Sequence, residues 1–213
     1  DVSRTHGADL PELPSPKLLE GEAPAGLWEG LAAQVESLGY EVLRMPNAEA
    51  IRGANGMTDY ETRQVLVRTD MDPAAQVKTL AHELGHVRLH GPNQQEARQH
   101  RGIGEVEAES VALMIAAAHG MDTSDYTIPY VAGWAANVDG KDPVQVIRDT
   151  GEKVRHTATE VLGQLDTIQL GNGNPVSLRL DGPEHSGPEQ APRVEPLPER
   201  EPQRVQAVPA RGL

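Results

Sequence analysis

The pentapeptide His82-Glu83-Leu84-Gly85-His86 places two imidazoles four residues apart, with a glutamate directly after the first of them. On an α-helix, residues four apart lie one turn apart on the same face, so both rings can bind a single cation. The glutamate then lies next to that cation and can reach a water molecule bound to it. This spacing is typical of zinc sites built on a helix.

The segment around the pentapeptide has the pattern of one helix from Pro73 to Leu89. Asp72 is a suitable N-cap, and Pro73 fits the first helical position. Apolar residues recur at helical spacing and predict a buried face, and Gly91-Pro92 ends the helix. The alternative is a solvated helix face on which the two histidines and the glutamate have no common role. The buried pattern favours the cation site.

A downstream acidic helix offers a third ligand, because catalytic zinc sites usually have three protein ligands and one open position. Glu105 and Glu109 are four apart and share a face, whereas Glu107 points elsewhere. We predict a site of His82, His86 and Glu105, since the spacing suits a His-His-Glu site. Glu109 would accept a hydrogen bond from the far nitrogen of a ligand histidine and orient its ring. The opposite assignment of the two carboxylates stays open.

His90 continues the series of histidines at intervals of four. Each step of four residues rotates the helical face by roughly 40°. We therefore expect His90 to point away from the cation, as a helix-end residue favoured by the helix dipole.

The predicted site suits hydrolysis of a peptide bond. Glu83 would act as general base toward a metal-activated water. An additional donor to the tetrahedral intermediate could come from Tyr126, Tyr130 or His119, although packing is the favoured interpretation of all three. The strand at 65–68 could pair its backbone with an extended substrate, if it lies at a sheet edge.

Composition excludes several other functions. The chain has no cysteine, so it has no disulfide, thiolate metal site or cysteine nucleophile, which suits a reducing cytoplasm. No apolar run reaches membrane-spanning length, and no signal peptide pattern is present. The net charge is −13, and no basic stripe offsets the acidic excess, which argues against binding to a phosphate backbone.

The order of patterns predicts an α+β fold, mostly helical, with a small three-stranded sheet. We expect a linker over residues 1–24, a folded domain over 25–168 and a disordered tail rich in proline, glycine and charge over 169–213. The expected strands are 40–45, 54–58 and 63–68. The expected helices are 27–38, 73–89, 106–118, 125–137 with an interruption near Pro129, and one from Asp142-Pro143 to about Leu165.

Five segments together resemble the ImmA/IrrE-like metallopeptidases, and most of all the peptidase domain of ArdC-like antirestriction proteins. The start of the chain, Asp1 to Thr5, is similar to the linker that follows the N-terminal domain of that family. The five segments are ANGMTD (54–59), VLVR (65–68), VKTLAHELGHV (77–87), EVEAESVA (105–112) and IPYVAGW (128–134).

The resemblance implies a minimal zincin-like, gluzincin-type fold, a divalent metal and a protein or peptide substrate. Zinc is the expected metal, and manganese is the alternative. The family also has an N-terminal domain that binds single-stranded DNA. We expect the chain to be a fragment that lacks this domain and does not bind nucleic acid by itself. The alternative function is an antirestriction or regulatory interaction module, in which the metal is structural.

Overall fold

The computed structural model describes residues 18–91, 101–138 and 140–174. Within these ranges the chain forms five α-helices and one three-stranded sheet, which confirms the predicted α+β class. The strands are β1 Glu41–Met45, β2 Gly56–Asp59 and β3 Gln64–Arg68. The helices are α1 Leu27–Ser37, α2 Pro73–Leu89, α3 Arg101–Ala118, α4 Ser124–Ala136 and α5 Pro143–Gly163.

Helix α2 has the predicted bounds, and Asp72 is its N-cap residue. The carboxylate of Asp72 does not cap the helix, however. Its Oδ2 accepts a hydrogen bond of 2.7 Å from the backbone N–H of Gly21 instead, and the Ala74 N–H donates to the Gly21 carbonyl at 3.1 Å. The first turn of α2 is therefore tied to the segment that precedes α1.

Two helices differ from the predictions. Helix α3 already includes Arg101, the first described residue of its segment, whereas the prediction placed the start near residue 106, so Glu105 lies inside the helix. Helix α4 continues through Pro129 without the expected interruption. Val131 and Ala135 of α4 pack in a core cluster with Val106 of α3, and this packing outweighs the backbone hydrogen bond that the proline cannot donate.

The sheet has the order β1-β3-β2, with β1 parallel and β2 antiparallel to β3. The prediction that strand 65–68 offers a free edge to a substrate is therefore wrong, because β3 is the central strand and pairs on both sides. Strand β2 pairs only with β3 among the described residues, and it packs beside α2. The edge strand next to the predicted site is thus Gly56–Asp59.

The main core joins α1, the sheet, α2, α3 and α5 through aliphatic side chains such as Leu31, Leu80 and Ile115. Helix α2 lies at its centre and is buried on most sides. None of the helices in the described segments is long and apolar enough to cross a bilayer. The predicted linker and tail lie mostly outside the described residues, so their boundaries stay predictions.

Candidate metal centre

Helices α2 and α3 approach each other closely at Gly85. A Cβ atom on Gly85 would lie 3.0 Å from the Cα and 3.3 Å from the carbonyl oxygen of Ala108. Such distances are below ordinary carbon contacts, so the glycine permits an approach that a side chain would hinder. This contact brings the histidines of α2 beside the glutamates of α3.

Three ligand atoms converge at this junction. The Nε2 atoms of His82 and His86 are 3.1 Å apart. The Glu105 carboxylate lies 3.5 Å from His82 Nε2 through Oε2 and 3.8 Å from His86 Nε2 through Oε1. All three ligand atoms lie within 4.8 Å of one another. Two imidazole nitrogens and one carboxylate oxygen are a ligand set that catalytic zinc sites use, so the chemistry of these residues fits a divalent metal.

Glu109 lies behind His82 rather than among the converging atoms. Its side chain is only 1% exposed, and its Oε2 is 2.9 Å from His82 Nδ1. Its Oε1 accepts from Lys78 Nζ at 2.5 Å and from the Thr127 hydroxyl at 2.8 Å. The two carboxylates are therefore placed differently. Glu105 faces both Nε2 atoms, whereas Glu109 orients one ring from the far side.

His90 is not among the three converging residues, but it contacts the far nitrogen of one of them, a contact that the sequence analysis did not predict. His90 Nδ1 is 2.9 Å from His86 Nδ1, and His90 Nε2 is 2.7 Å from Glu107 Oε2. His90 is the C-cap residue of α2, with φ −128° and ψ 32°, so the regular helical rotation does not apply to it. The interval of four residues after His86 was a signal that could have suggested the contact.

Charges around the rings shift several pKa values. Burial lowers the pKa of His82, but hydrogen bonds to Glu105 and Glu109 outweigh burial and raise it to about 10. Burial raises the pKa of Glu109, but Lys78 and His82 outweigh it and lower the value to about 2. The pKa of Glu105 is likewise held well below its usual range, against burial, by His82 and His86. Without a metal, the ionised carboxylates of Glu105 and Glu109 therefore favour a protonated, positively charged His82 ring.

Glu83 is held at the wall of the same cleft. Its side chain is buried, and its Oε2 accepts a hydrogen bond of 2.7 Å from the Thr58 hydroxyl on β2. An open cleft of about 910 Å³ is lined by these residues, by the three converging ligand residues and by Gly56 at the start of β2. A peptide entering this cleft would meet Glu83, the converging ligand atoms and the sheet edge together.

Of the three predicted additional donors, only His119 has a described side chain, and it does not line the cleft. His119 donates from Nδ1 to the Ile115 carbonyl at 2.8 Å, and its Nε2 accepts from the Thr167 hydroxyl at 2.8 Å. Both ring nitrogens of His119 are therefore engaged within the fold. The side chains of Tyr126 and Tyr130 lie outside the described residues.

Comparison with known proteins agrees with this geometry. A 110-residue stretch is 27% identical to an uncharacterized protein, pXO2-81, of Bacillus anthracis, and it covers 52% of this chain and 18% of that protein. No solved structure matches the chain. Residues 35–128 match the family model described as the IrrE N-terminal-like domain, a peptidase family. The matched stretch contains all three converging residues, so this segment of the chain is similar to that peptidase family.

Proposed function

We propose that this chain is a metal-dependent endopeptidase. The observation that carries the proposal is the convergence of two imidazole nitrogens and one carboxylate in an open cleft, directly beside a buried glutamate. The match to a peptidase family over residues 35–128 supports the same reaction class. Zinc is the metal that we favour, and manganese is the alternative, because both accept nitrogen and oxygen ligands.

In this proposal His82, His86 and Glu105 hold the metal, and Glu109 keeps the His82 ring oriented through its Nδ1. A divalent cation bound there would lower the pKa of a water molecule and polarise the scissile carbonyl. Lys78 and Thr127 donate to the carboxylate of Glu109 and so keep it in place.

Glu83 would accept the proton of the attacking water and deliver it to the leaving amine. The hydrogen bond from Thr58 to Oε2 restrains its carboxylate, so the other oxygen is available to the reaction. Because no side chain stands at Gly56, the Glu83 carboxylate can lie against the backbone of β2. The edge of β2 could bind an extended peptide by strand addition across the cleft.

The substitution Glu83→Gln tests the general base. The amide keeps the shape of the side chain and its hydrogen bond from Thr58, but it cannot take up a proton. We expect the variant to bind one equivalent of zinc and to cleave quenched fluorescent casein about 10²- to 10⁴-fold more slowly. Glu152→Gln, at an exposed position of α5, is the matched control and should leave both values unchanged. A variant that kept both its metal and the parental rate would contradict the assignment.

The same variant separates the peptidase from the alternative function. The resemblance to ArdC-like antirestriction proteins suggests an interaction module, which would act by binding a partner and would not need a proton acceptor. Inhibition of a restriction enzyme in a one-to-one ratio that survives Glu83→Gln would support that alternative. Inhibition that disappears together with cleavage would support the peptidase.

A further inference from the structure

A chain of hydrogen bonds runs from His86 to the protein surface on the side away from the converging ligand atoms. His86 Nδ1 lies 2.9 Å from His90 Nδ1, and His90 Nε2 lies 2.7 Å from Glu107 Oε2. Lys153 Nζ of α5 then donates to both oxygens of Glu107, at 3.0 and 3.2 Å. His90 and Glu107 are buried, whereas the Lys153 side chain is 44% exposed.

The direction of these hydrogen bonds follows from the chemistry of the groups. An ionised carboxylate only accepts, so His90 must carry its proton on Nε2 and donate it to Glu107. A metal on His86 Nε2 would leave the proton of that ring on Nδ1, so His90 Nδ1, at 2.9 Å, has to be the acceptor. His86 must then donate from Nδ1. Its Nε2 then carries the lone pair, which faces His82 Nε2 at 3.1 Å and the Glu105 carboxylate at 3.8 Å.

We propose that His90 is a positioning residue, which fixes His86 in the one neutral tautomer that can bind a metal through Nε2. Glu107 and Lys153 hold the His90 ring in place through their hydrogen bonds. The proposal rests on the proposed metal site. It gives each histidine ligand its own support, since Glu109 and Lys78 act on His82 from the other side. Without the acceptor at His90, the proton of His86 could move to Nε2 and block metal binding.

Two amide substitutions at position 90 separate this role from simple packing. In His90→Asn the amide can place an acceptor near the position of Nδ1, so His86 still has a partner. In His90→Gln the amide reaches the position of Nε2, contacts Glu107 and leaves His86 without its acceptor. Both variants keep a polar group at a buried site. His156→Gln, at an exposed histidine of α5, is the control.

The first measurement is the tautomer of His86 in metal-free protein, read from the ring nitrogen shifts of ¹⁵N-histidine-labelled samples. We expect the parent, the control and His90→Asn to carry the His86 proton on Nδ1. We expect His90→Gln to move a substantial fraction of it to Nε2. This measurement needs neither a bound metal nor a substrate, so it can succeed even if the chain proves not to cleave peptides.

The second measurement is zinc affinity, by competition with a chromogenic chelator. We expect His90→Gln to bind zinc about 10- to 100-fold more weakly and His90→Asn to stay near the parent. Lys153→Met, which changes only a half-exposed end of the chain of hydrogen bonds, should weaken binding about twofold to fivefold. It also tests the proposal if a variant at position 90 fails to fold.

The proposal is overturned if His90→Gln keeps both the His86 tautomer and the zinc affinity of the parent. It is also overturned if the Asn and Gln variants lose affinity equally with no change of tautomer, because packing alone would then explain the loss. If the parent protein bound no zinc, the proposed function would fail at its metal site, and the tautomer measurement would still decide the role of His90.

Discussion

Gly56 shows how a single missing side chain shapes the site. A Cβ atom at this position would lie 2.6 Å from Thr79 Cγ2 and 2.7 Å from Glu83 Oε1. Real Cβ atoms do not approach other atoms so closely, and the Thr79 side chain is stiff because it is β-branched. An added Cβ would therefore displace the Glu83 carboxylate, against the hydrogen bond from Thr58. The position of the proposed general base therefore depends on a residue that takes no part in the chemistry.

We predict that Gly56→Ala impairs cleavage more than metal binding. The added methyl group would displace the Glu83 carboxylate, and misplacement of a catalytic group by about 1 Å can cost about 10²-fold in rate. The ligand residues of α2 and α3 would stay in place, so zinc affinity should remain within about threefold of the parent. Casein cleavage and chelator competition measure the two effects. Equal loss of rate and zinc affinity would show that Gly56 supports the whole site rather than Glu83.

Sequence reasoning named the histidines and Glu83 of α2 and the carboxylates of Glu105 and Glu109 on α3, but it missed the tertiary contacts behind His86. The positions of His82, Glu83 and His86 relative to one another follow from helix geometry alone. Lys153 follows Glu107 by 46 residues, and no local pattern connects the two. The contact between His90 and His86 was missed for another reason. The prediction assumed a regular helix through His90, but the backbone of this residue leaves the helical region.

At the scale of elements, the helix contact at Gly85 sets the distance between the histidines and Glu105. Glycine is a poor residue for a helix interior, costing about 1 kcal/mol relative to alanine. Here the close approach to Ala108 offsets that cost, since α2 and α3 make the most extensive contact between elements in the described part of the chain. The site thus depends on the packing of two helices as much as on their sequences.

We predict that Gly85→Val lowers the free energy of unfolding by about 1–3 kcal/mol, because its methyl groups would overpack against the α3 backbone. It should also weaken zinc binding, since the two helices must separate. Urea denaturation and chelator competition measure both effects. Gly151→Ala is the matched control, because a Cβ there meets no atom within 4 Å in the middle of α5, and it should stabilise by up to about 1 kcal/mol. Unchanged zinc affinity in Gly85→Val would show that the site tolerates a wider helix spacing.

The strand order is a feature of elements that the sequence did not reveal. The pattern at 63–68 predicted a strand, and β3 shows an alternation of half-buried and buried residues. A strand pattern carries no information on its neighbours, however, and β1 and β2 both pair with β3. Which strand forms an edge is decided by the connections and by the packing against α1 and α2.

At the scale of the whole molecule, the buried charges make stability depend on pH. In metal-free protein the pKa of Glu109 is about 2, below its ordinary 4.5, so its contribution is full above pH 4.5 and is lost as the pH falls toward 2. The pKa of His82 is about 10, above its ordinary 6.5, so its contribution is full below pH 6.5 and is lost as the pH rises toward 10.

We therefore predict that, with a chelator present, the free energy of unfolding falls on both sides of the range from pH 4.5 to 6.5. Glu109→Gln removes the carboxylate that titrates at low pH and also one of the two carboxylates that raise the pKa of His82. The free energy of unfolding should therefore change less steeply with pH on both the acidic and the basic side. Urea denaturation at a series of pH values measures the slopes, and Glu152→Gln, at an exposed position, is the control. Slopes that stay the same in Glu109→Gln would mean that other groups set the pH dependence.

The buried carboxylates of α3 are balanced by cations that lie far away in the chain. Lys78 precedes Glu109 by 31 residues, and Lys153 follows Glu107 by 46. During synthesis on a ribosome, Glu107 therefore remains without its lysine until most of α5 has left the exit tunnel. An isolated carboxylate is costly to bury, so the region around His90 should close last. The order of translation would thus delay the completion of the proposed metal centre until Lys153 of α5 has emerged.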